Sequence, residues 1–301
     1  MHFKLSHMIC CLIALGSNQK LFAKLTVFTT TTNVASLIDE VGGDKVDVIS
    51  LTKGAQDPHY IEAKPSFMLN VSRADLLVSV GLGLEDAWLP AVIGGSRNPS
   101  LSKGQKGSLI LGEHIAVLDI PTGSVSREQG DVHPDGNPHF MLDPVRVQKL
   151  AGVVAQKLAE LAPEHKAYFF ERSKALNTKI DTKLKAWQQR ITASEVTKIV
   201  TYHKTLRYFL DRFNITLAAQ IEPKPGIPPS SAHILSLIDL CEKEKIKLIL
   251  VENFFDVKPA QKIAAKNPDL KIKTVAVAVG GVSEIKNLFD LYEHLIHSLT
   301  N

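Results

Sequence analysis

Short apolar runs alternate with amphipathic stretches through most of the chain. Leu25 to Thr30 is rich in β-formers, and the residues after it place Val34, Leu37, Ile38 and Val41 on one helical face. "VDVISLTKG" reads as a second strand that ends in a loop. From Lys64 onward the order is helix, buried strand "LLVSVG", then another helix, and "SLILG" and "IAVLDI" are further short apolar runs. Strand followed by helix, repeated, predicts a parallel sheet with helices on its faces.

The texture changes at Asp143. Residues 143–190 keep helical spacing almost throughout, with Asp143 as an N-cap and Pro144 in the first turn. Pro163 lies inside this run and is expected to break or kink it. Beyond it the alternation resumes: strand "VTKIVTYH", helix "KTLRYFLDRF", strand "ITLAAQIEP", a Pro-rich loop and helix "HILSLIDLCEKEK". Then come strand "IKLILVE", helix "KPAQKIAAKN", strand "KTVAVAVGG" and a closing helix "SEIKNLFDLYEHLIHSL". The pattern predicts an α/β fold of two lobes, each a mainly parallel sheet flanked by helices. Residues 24–142 and 191–301 form the lobes, and a long rigid linking helix over 143–190 joins them.

Composition narrows the class. Apolar residues make up 45% and charged residues 22% of the 301, as in a globular chain with a real core. The net charge of +4 is spread along the chain, which gives no electrostatic case for nucleic acid. Lys4, the apolar core "MICCLIALG" and "LFA" ending at Ala23 read as a secretory signal, residues 1–23. That run is too short to span a bilayer, so a cleaved, exported, periplasmic chain is expected. Cys10 and Cys11 fall inside the signal, and Cys241 remains alone, so no internal disulfide is expected. A lipid anchor on Cys10 or Cys11 is the competing reading, against which "SHMI" lacks the usual small residue before the cysteine.

Open parallel sheets bind ligands beyond the C-terminal ends of their strands. Three histidines occupy such places. His59 lies in the stiff loop "KGAQDPHYIEAKPS", His139 lies in "GDVHPDGNPHF" just before the connecting helix, and His203 ends "KIVTYH". Three imidazoles from separate loops match many zinc shells. A loop histidine is as readily a solvated side chain, and spacing alone leaves both readings open. His133, six residues before His139, could be an auxiliary ligand, a capture residue or plain loop, and plain loop or a partner outside the ligand shell is the favoured reading. His114, His165, His233, His294 and His297 read as surface or structural.

Four motifs, in order, carry a resemblance. "DPHYIEAKPS", "GNPHFMLDP", "VTYHKTLRYFLDRF" and "VENFFDVKPAQKIA" resemble those of the periplasmic solute-binding proteins of zinc and manganese ABC importers, the TroA/ZnuA-like cluster A-I group. The resemblance covers nearly the whole chain after the signal. It implies two α/β lobes bridged by a rigid helix, a metal held between them, and delivery to a membrane permease by a monomer. Carried over motif by motif, it implies His59, His139 and His203 as ligands. Many members add an Asp just ahead of a glycine in the last strand. Here Val277, Ala278 and Val279 precede Gly280, so the fourth ligand is left to water or to Glu252. Glu252 reads more readily as an acceptor behind a ligand or as a loop anchor, and Asp57 as another group that orients an imidazole without binding the metal. The long His-rich loop of zinc-selective members is reduced to "SREQGDVHPDG".

Three imidazoles with at most one carboxylate favour Zn2+ over Mn2+ or Fe2+. The rival functions are a zinc-dependent hydrolase with an open coordination site, and an adhesin or binder of an organic solute on the same scaffold. No HExxH, G-x-S-x-G or phosphate-loop motif is found, so a binding protein rather than an enzyme is expected.

Overall fold

The computed structural model describes residues 23–123, 133–224 and 226–301. The segment read as a signal, residues 1–23, lies outside them apart from Ala23.

Two four-stranded sheets, all parallel, organise the chain. The first contains β1 (Leu25–Thr29), β2 (Val46–Ser50), β3 (Leu76–Ser79) and β4 (Ser108–Ile110), in the order β2-β1-β3-β4. The second contains β5 (Lys198–Thr201), β6 (Thr216–Gln220), β7 (Leu248–Glu252) and β8 (Lys271–Val275), in the order β6-β5-β7-β8. The two orders are the same, so each β-strand of one sheet has a counterpart in the other. Parallel pairing forces a crossover between strands. In the first sheet helices α1 (Thr32–Gly42), α2 (Pro65–Val71) and α3 (Leu89–Ser96) lie between its strands in sequence, and α6 (Arg207–Arg212), α7 (Ser231–Lys243) and α8 (Lys258–Ala264) do so in the second.

Between the sheets run α4 (Pro144–Leu161) and α5 (Lys166–Ser194). Asp143 caps α4 by accepting from the Val145 N–H at 2.9 Å, and Pro144 occupies the first turn, as the sequence predicts. The helical run is two helices rather than one rod. Pro163 has no N–H to donate, and a single turn at Pro163–His165 breaks the run so that α5 packs back on α4. The long element is α5, 29 residues and therefore about 43 Å. Its buried residues Phe169, Ser173, Leu176, Ile180, Trp187 and Ile191 follow three- and four-residue steps or their sum, a narrow stripe against α1, α4 and α9 (Leu288–Thr300).

That packing joins the lobes through one core. A single apolar cluster runs from Val27, Leu37 and Val78 through Leu150, Val154 and Trp187 to Leu250, Leu291 and Leu295. Two smaller clusters cover the other face of each sheet. Side-chain hydrogen bonds cross between lobes as well. The Asn33 amide donates to the Val277 carbonyl at 3.0 Å and accepts from the Val279 N–H at 2.8 Å. Gly54 packs so closely on Val279 and Gly280 that a Cβ there would stand 2.1 Å from the Val279 carbonyl oxygen.

Two apolar runs depart from the strand pattern. "IAVLDI" forms no strand, because its backbone groups are engaged by side chains and loops. Leu118 N–H donates to the Tyr208 hydroxyl at 2.9 Å, and Leu118 C=O accepts from Asn137 N–H at 2.9 Å. The last strand ends at Val275 rather than running on toward Gly280, because Asn33 takes the backbone groups of Val277 and Val279. The closing helix likewise starts at Leu288, where Asn287 caps it by accepting from Phe289 and Asp290 N–H. No described helix is long and apolar enough to cross a membrane.

Candidate metal centre

The C-terminal strand ends of both sheets face one cavity. It is lined from the first lobe by Thr31, Asn33, His59 and Leu84, and from the second by His203, Glu222, Phe254 and Val277, with His139 between. Its volume is about 80 Å³, far below the roughly 300–1,000 Å³ of pockets for organic ligands. The space suits an ion better than a drug-sized solute.

His59, His139 and His203 meet there. One ligating atom from each lies within 4.8 Å of the others. Ring centres stand 5.4 Å apart for His59 and His139, 5.7 Å for His59 and His203, and 5.4 Å for His139 and His203. Each ring is held differently. The loop of His59 is pinned by Trp88 Nε1, which donates to the Pro58 carbonyl at 3.2 Å. Asp57 Oδ1 accepts from the His59 backbone N–H at 3.0 Å and pairs with His59 Nδ1 at 2.6 Å. Burial pushes the Asp57 carboxyl up, but the hydrogen bond and charge of His59 outweigh it and hold the group below the usual range. An ionised Asp57 keeps the proton on Nδ1 and leaves the Nε2 lone pair available.

His203 is buried, and its Nδ1 pairs with Glu222 Oε1, whose other oxygen accepts from the Gly226 N–H at 3.1 Å. The same logic presents Nε2 of His203 as the free nitrogen. His139 is positioned by Asn137, whose Oδ1 accepts from the His139 N–H at 2.9 Å. Asn137 Nδ2 donates to the Lys204 carbonyl at 3.1 Å, which ties the His139 turn to the residue after His203. His139 Nε2 is shielded from solvent and has no hydrogen-bond partner among the described residues. Burial, then the charges of His59, His203 and His133, hold the His139 pKa well below the ordinary value. His139 is therefore a neutral imidazole at neutral pH.

Two further residues reach this neighbourhood. His133 Nε2 lies 3.0 Å from His59 Nε2, so the structure brings to the site a residue that the sequence leaves as loop or outlying partner. Glu222 has no motif to mark it. The signal that finds it is strand order, since β6 neighbours β5 and the two strand ends then lie side by side. The other histidines stay apart from the site: His294 Nε2 accepts from the Ala276 N–H, and His233 Nε2 lies 3.2 Å from the Gln220 carbonyl.

Glu252, at the end of β7, is fully buried, and its carboxyl is not among the three groups that converge within 4.8 Å. Neither of its oxygens has a well-formed hydrogen bond among the described residues. Burial pushes its carboxyl up to about 8. The folded pKa lies above the unfolded one, so the folded state holds an extra proton. The stability linked to that proton is full below the ordinary glutamate range and is lost as pH rises through about 8. Glu252→Gln, which needs no proton, is therefore expected to gain melting temperature over the parent in alkaline buffer and not in acid. Calorimetry of the metal-free proteins in both buffers checks this, and an equal difference in the two would contradict it.

Known proteins give the site a context. The family model described as ZnuA, zinc-uptake complex component A periplasmic, matches residues 27–301. A manganese ABC transporter substrate-binding lipoprotein of Streptococcus gordonii is 26% identical, over 83% of this chain and 78% of its own length. The high-affinity zinc uptake system protein ZnuA of Bacillus subtilis is 24% identical, over 83% of this chain and 78% of its own. A crystal structure of ZnuA superposes with a TM-score of 0.76 at 22% identity, covering 92% of this chain and 99% of that one, which shows a shared fold.

Proposed function

Since the chain belongs to the family of the periplasmic zinc-uptake complex component A, we propose that it is the periplasmic substrate-binding component of a metal ABC importer. It binds its metal and hands it to a membrane permease, and it is not an enzyme. Residues 24–142 and 191–301 serve as the two lobes, with 143–190 between them. The cargo is a divalent transition metal, Zn2+ in preference to Mn2+ or Fe2+, held by His59, His139 and His203.

The observation that carries this reading is the convergence of three imidazoles from distant parts of the chain within 4.8 Å. Zinc–nitrogen bonds are about 2.0–2.1 Å, so nitrogens around one ion must gather on this scale. Nitrogen donors favour zinc over manganese, which prefers oxygen-rich shells. The relatives span both metals by name, so the donor set and not the kinship supports the preference.

Titration of the metal-free protein with zinc should saturate at one ion per chain. The combined His59→Ala, His139→Ala and His203→Ala variant should not bind, and undiminished binding by it would sink the proposal. Protons compete for the same nitrogens. Affinity should fall in acid, and the His139 ring takes up a proton only well below the ordinary imidazole value. The loss should steepen as more than one ring takes up a proton. Competition with a chelator of known pH behaviour measures this, and a flat profile down to about pH 5 would argue against imidazole ligands.

A further inference from the structure

Three imidazoles leave one direction open on a tetrahedral ion. The carboxylates nearest the site are otherwise occupied: Asp57 pairs with His59, and Glu222 pairs with His203 and Gly226. Glu252, like His133, stands outside the group of three whose ligating atoms all lie within 4.8 Å of one another; His133 differs in that its Nε2 lies 3.0 Å from a member of that group, His59. The last strand contributes Val277, Ala278 and Val279, and the backbone of Val277 and Val279 is bonded by Asn33.

One more nitrogen donor is in place. His133 Nε2 is 3.0 Å from His59 Nε2, with ring centres 5.1 Å apart, and its ring centre is 6.5 Å from that of His139. Two nitrogens on one tetrahedral zinc stand about 3.3 Å apart, given bonds of about 2.05 Å. The pair already has nearly that separation before any ion is present. The position of His133 is also built into the fold. Its carbonyl accepts from the Gly136 N–H at 3.2 Å, closing a turn just before the Asn137–His139 segment. Its ring rests on the loop after β3, where a Cβ on Gly83 would stand 3.1 Å from His133 Nδ1. Gly83 also has φ +83°, so the loop shape and the seat for the ring both call for glycine.

We propose that His133 is the fourth metal ligand, completing a shell of four imidazoles from the His59 side of the cavity. This rests on the three-histidine reading above and takes it further. An all-nitrogen shell suits zinc, copper, nickel or cobalt and disfavours manganese. It supplies the fourth donor from a loop of the first lobe, where the last strand offers only Val277, Ala278 and Val279 ahead of Gly280.

Cobalt(II) is the probe, because its visible bands report coordination number and donor type. The full protein, stripped of metal, is titrated with Co2+, and zinc affinity is then read by competition. His133→Ala should change the Co2+ spectrum and weaken zinc binding by at least about tenfold, the lower end of losses seen when even an outlying partner of a ligand is removed. Added free imidazole should move the variant's spectrum back toward the parent's and leave the parent unchanged. Circular dichroism should show the variant folded, as expected of a partly exposed loop residue. An unchanged spectrum and affinity in His133→Ala, with binding still lost in His59→Ala, would overturn the fourth-ligand assignment and spare the three-histidine site. The assignment falls in the same way if Glu252→Gln, and not His133→Ala, alters the spectrum. Unchanged binding in His59→Ala would overturn both.

Discussion

Alanine in place of His139 is expected to leave the metal-free protein folded and to remove most of the rise in melting temperature that zinc produces. A ligand that binds only the folded state stabilises it by about 4 kcal/mol when present at a thousand times its dissociation constant. For a chain of this size that is worth on the order of ten degrees. His139 stands 5.4 Å, ring centre to ring centre, from both His59 and His203, so its loss takes one of three direct bonds from the centre. Removing a mere partner of a ligand lowers affinity by roughly 10–100-fold, and a direct ligand should exceed that. A hundredfold loss already removes about 2.7 kcal/mol of the gain. The metal-free variant is affected much less. His139 Nε2 has no hydrogen-bond partner to lose among the described residues, and the backbone N–H that Asn137 holds is still there in alanine. Calorimetry with zinc and with a chelator separates the two terms. A variant that keeps the parent's zinc shift would show that His139 is no ligand.

That His59, His139 and His203 lie on one side of the sheets is legible because strand ends are legible, whereas their reading as ligands comes from the family resemblance. His59, His139 and His203 each follow an apolar run or precede an amphipathic one, and a parallel sheet gathers such ends on one side. The break at Pro163 is legible for a local reason, the missing N–H. What cannot be read depends on partners far along the chain. Nothing around "IAVLDI" announces that Tyr208 will take the Leu118 N–H, 90 residues away. Nothing around Val277 announces Asn33, 244 residues away. Both runs have β-strand composition, and both have backbone groups claimed by a side chain of another element. Glu222 and His133 are obscure for the same reason. One becomes meaningful only when β6 is known to lie beside β5, the other only when the loop after β3 is known to seat its ring.

The other large effect is expected far from any metal bond, at Asp143. Its carboxylate is fully buried and accepts from Arg146 Nη1 at 2.6 Å, from Arg212 Nε at 2.8 Å and Nη2 at 2.9 Å, and from the Val145 N–H at 2.9 Å. Arg212 belongs to α6, the helix that follows His203, whereas Asp143 lies four residues after His139. The pair therefore ties the second lobe to the segment that carries the central imidazole. Arg146 also lies over the Tyr208 ring, and the Tyr208 hydroxyl donates to the Asn137 carbonyl at 2.8 Å, which extends the same tie. Asp143→Ala removes the cap of α4, worth about 1 kcal/mol, and leaves two guanidinium groups without their anion. Breaking a buried pair costs about 3–5 kcal/mol. Both arginines keep some exposure, 13% and 32%, so water softens the penalty and the lower end, about 3 kcal/mol in all, is expected. Asp143→Asn keeps one accepting oxygen and the cap, and should fall between. Denaturant unfolding of the metal-free proteins measures the loss. Zinc titration then separates this site from the triad: His139→Ala lowers metal affinity and spares metal-free stability, whereas Asp143→Ala lowers both, because the α6 tether sets the distance between His139 and His203. A variant at Asp143 that unfolds at the parent's midpoint would mean that the charged tie contributes nothing to holding the lobes together.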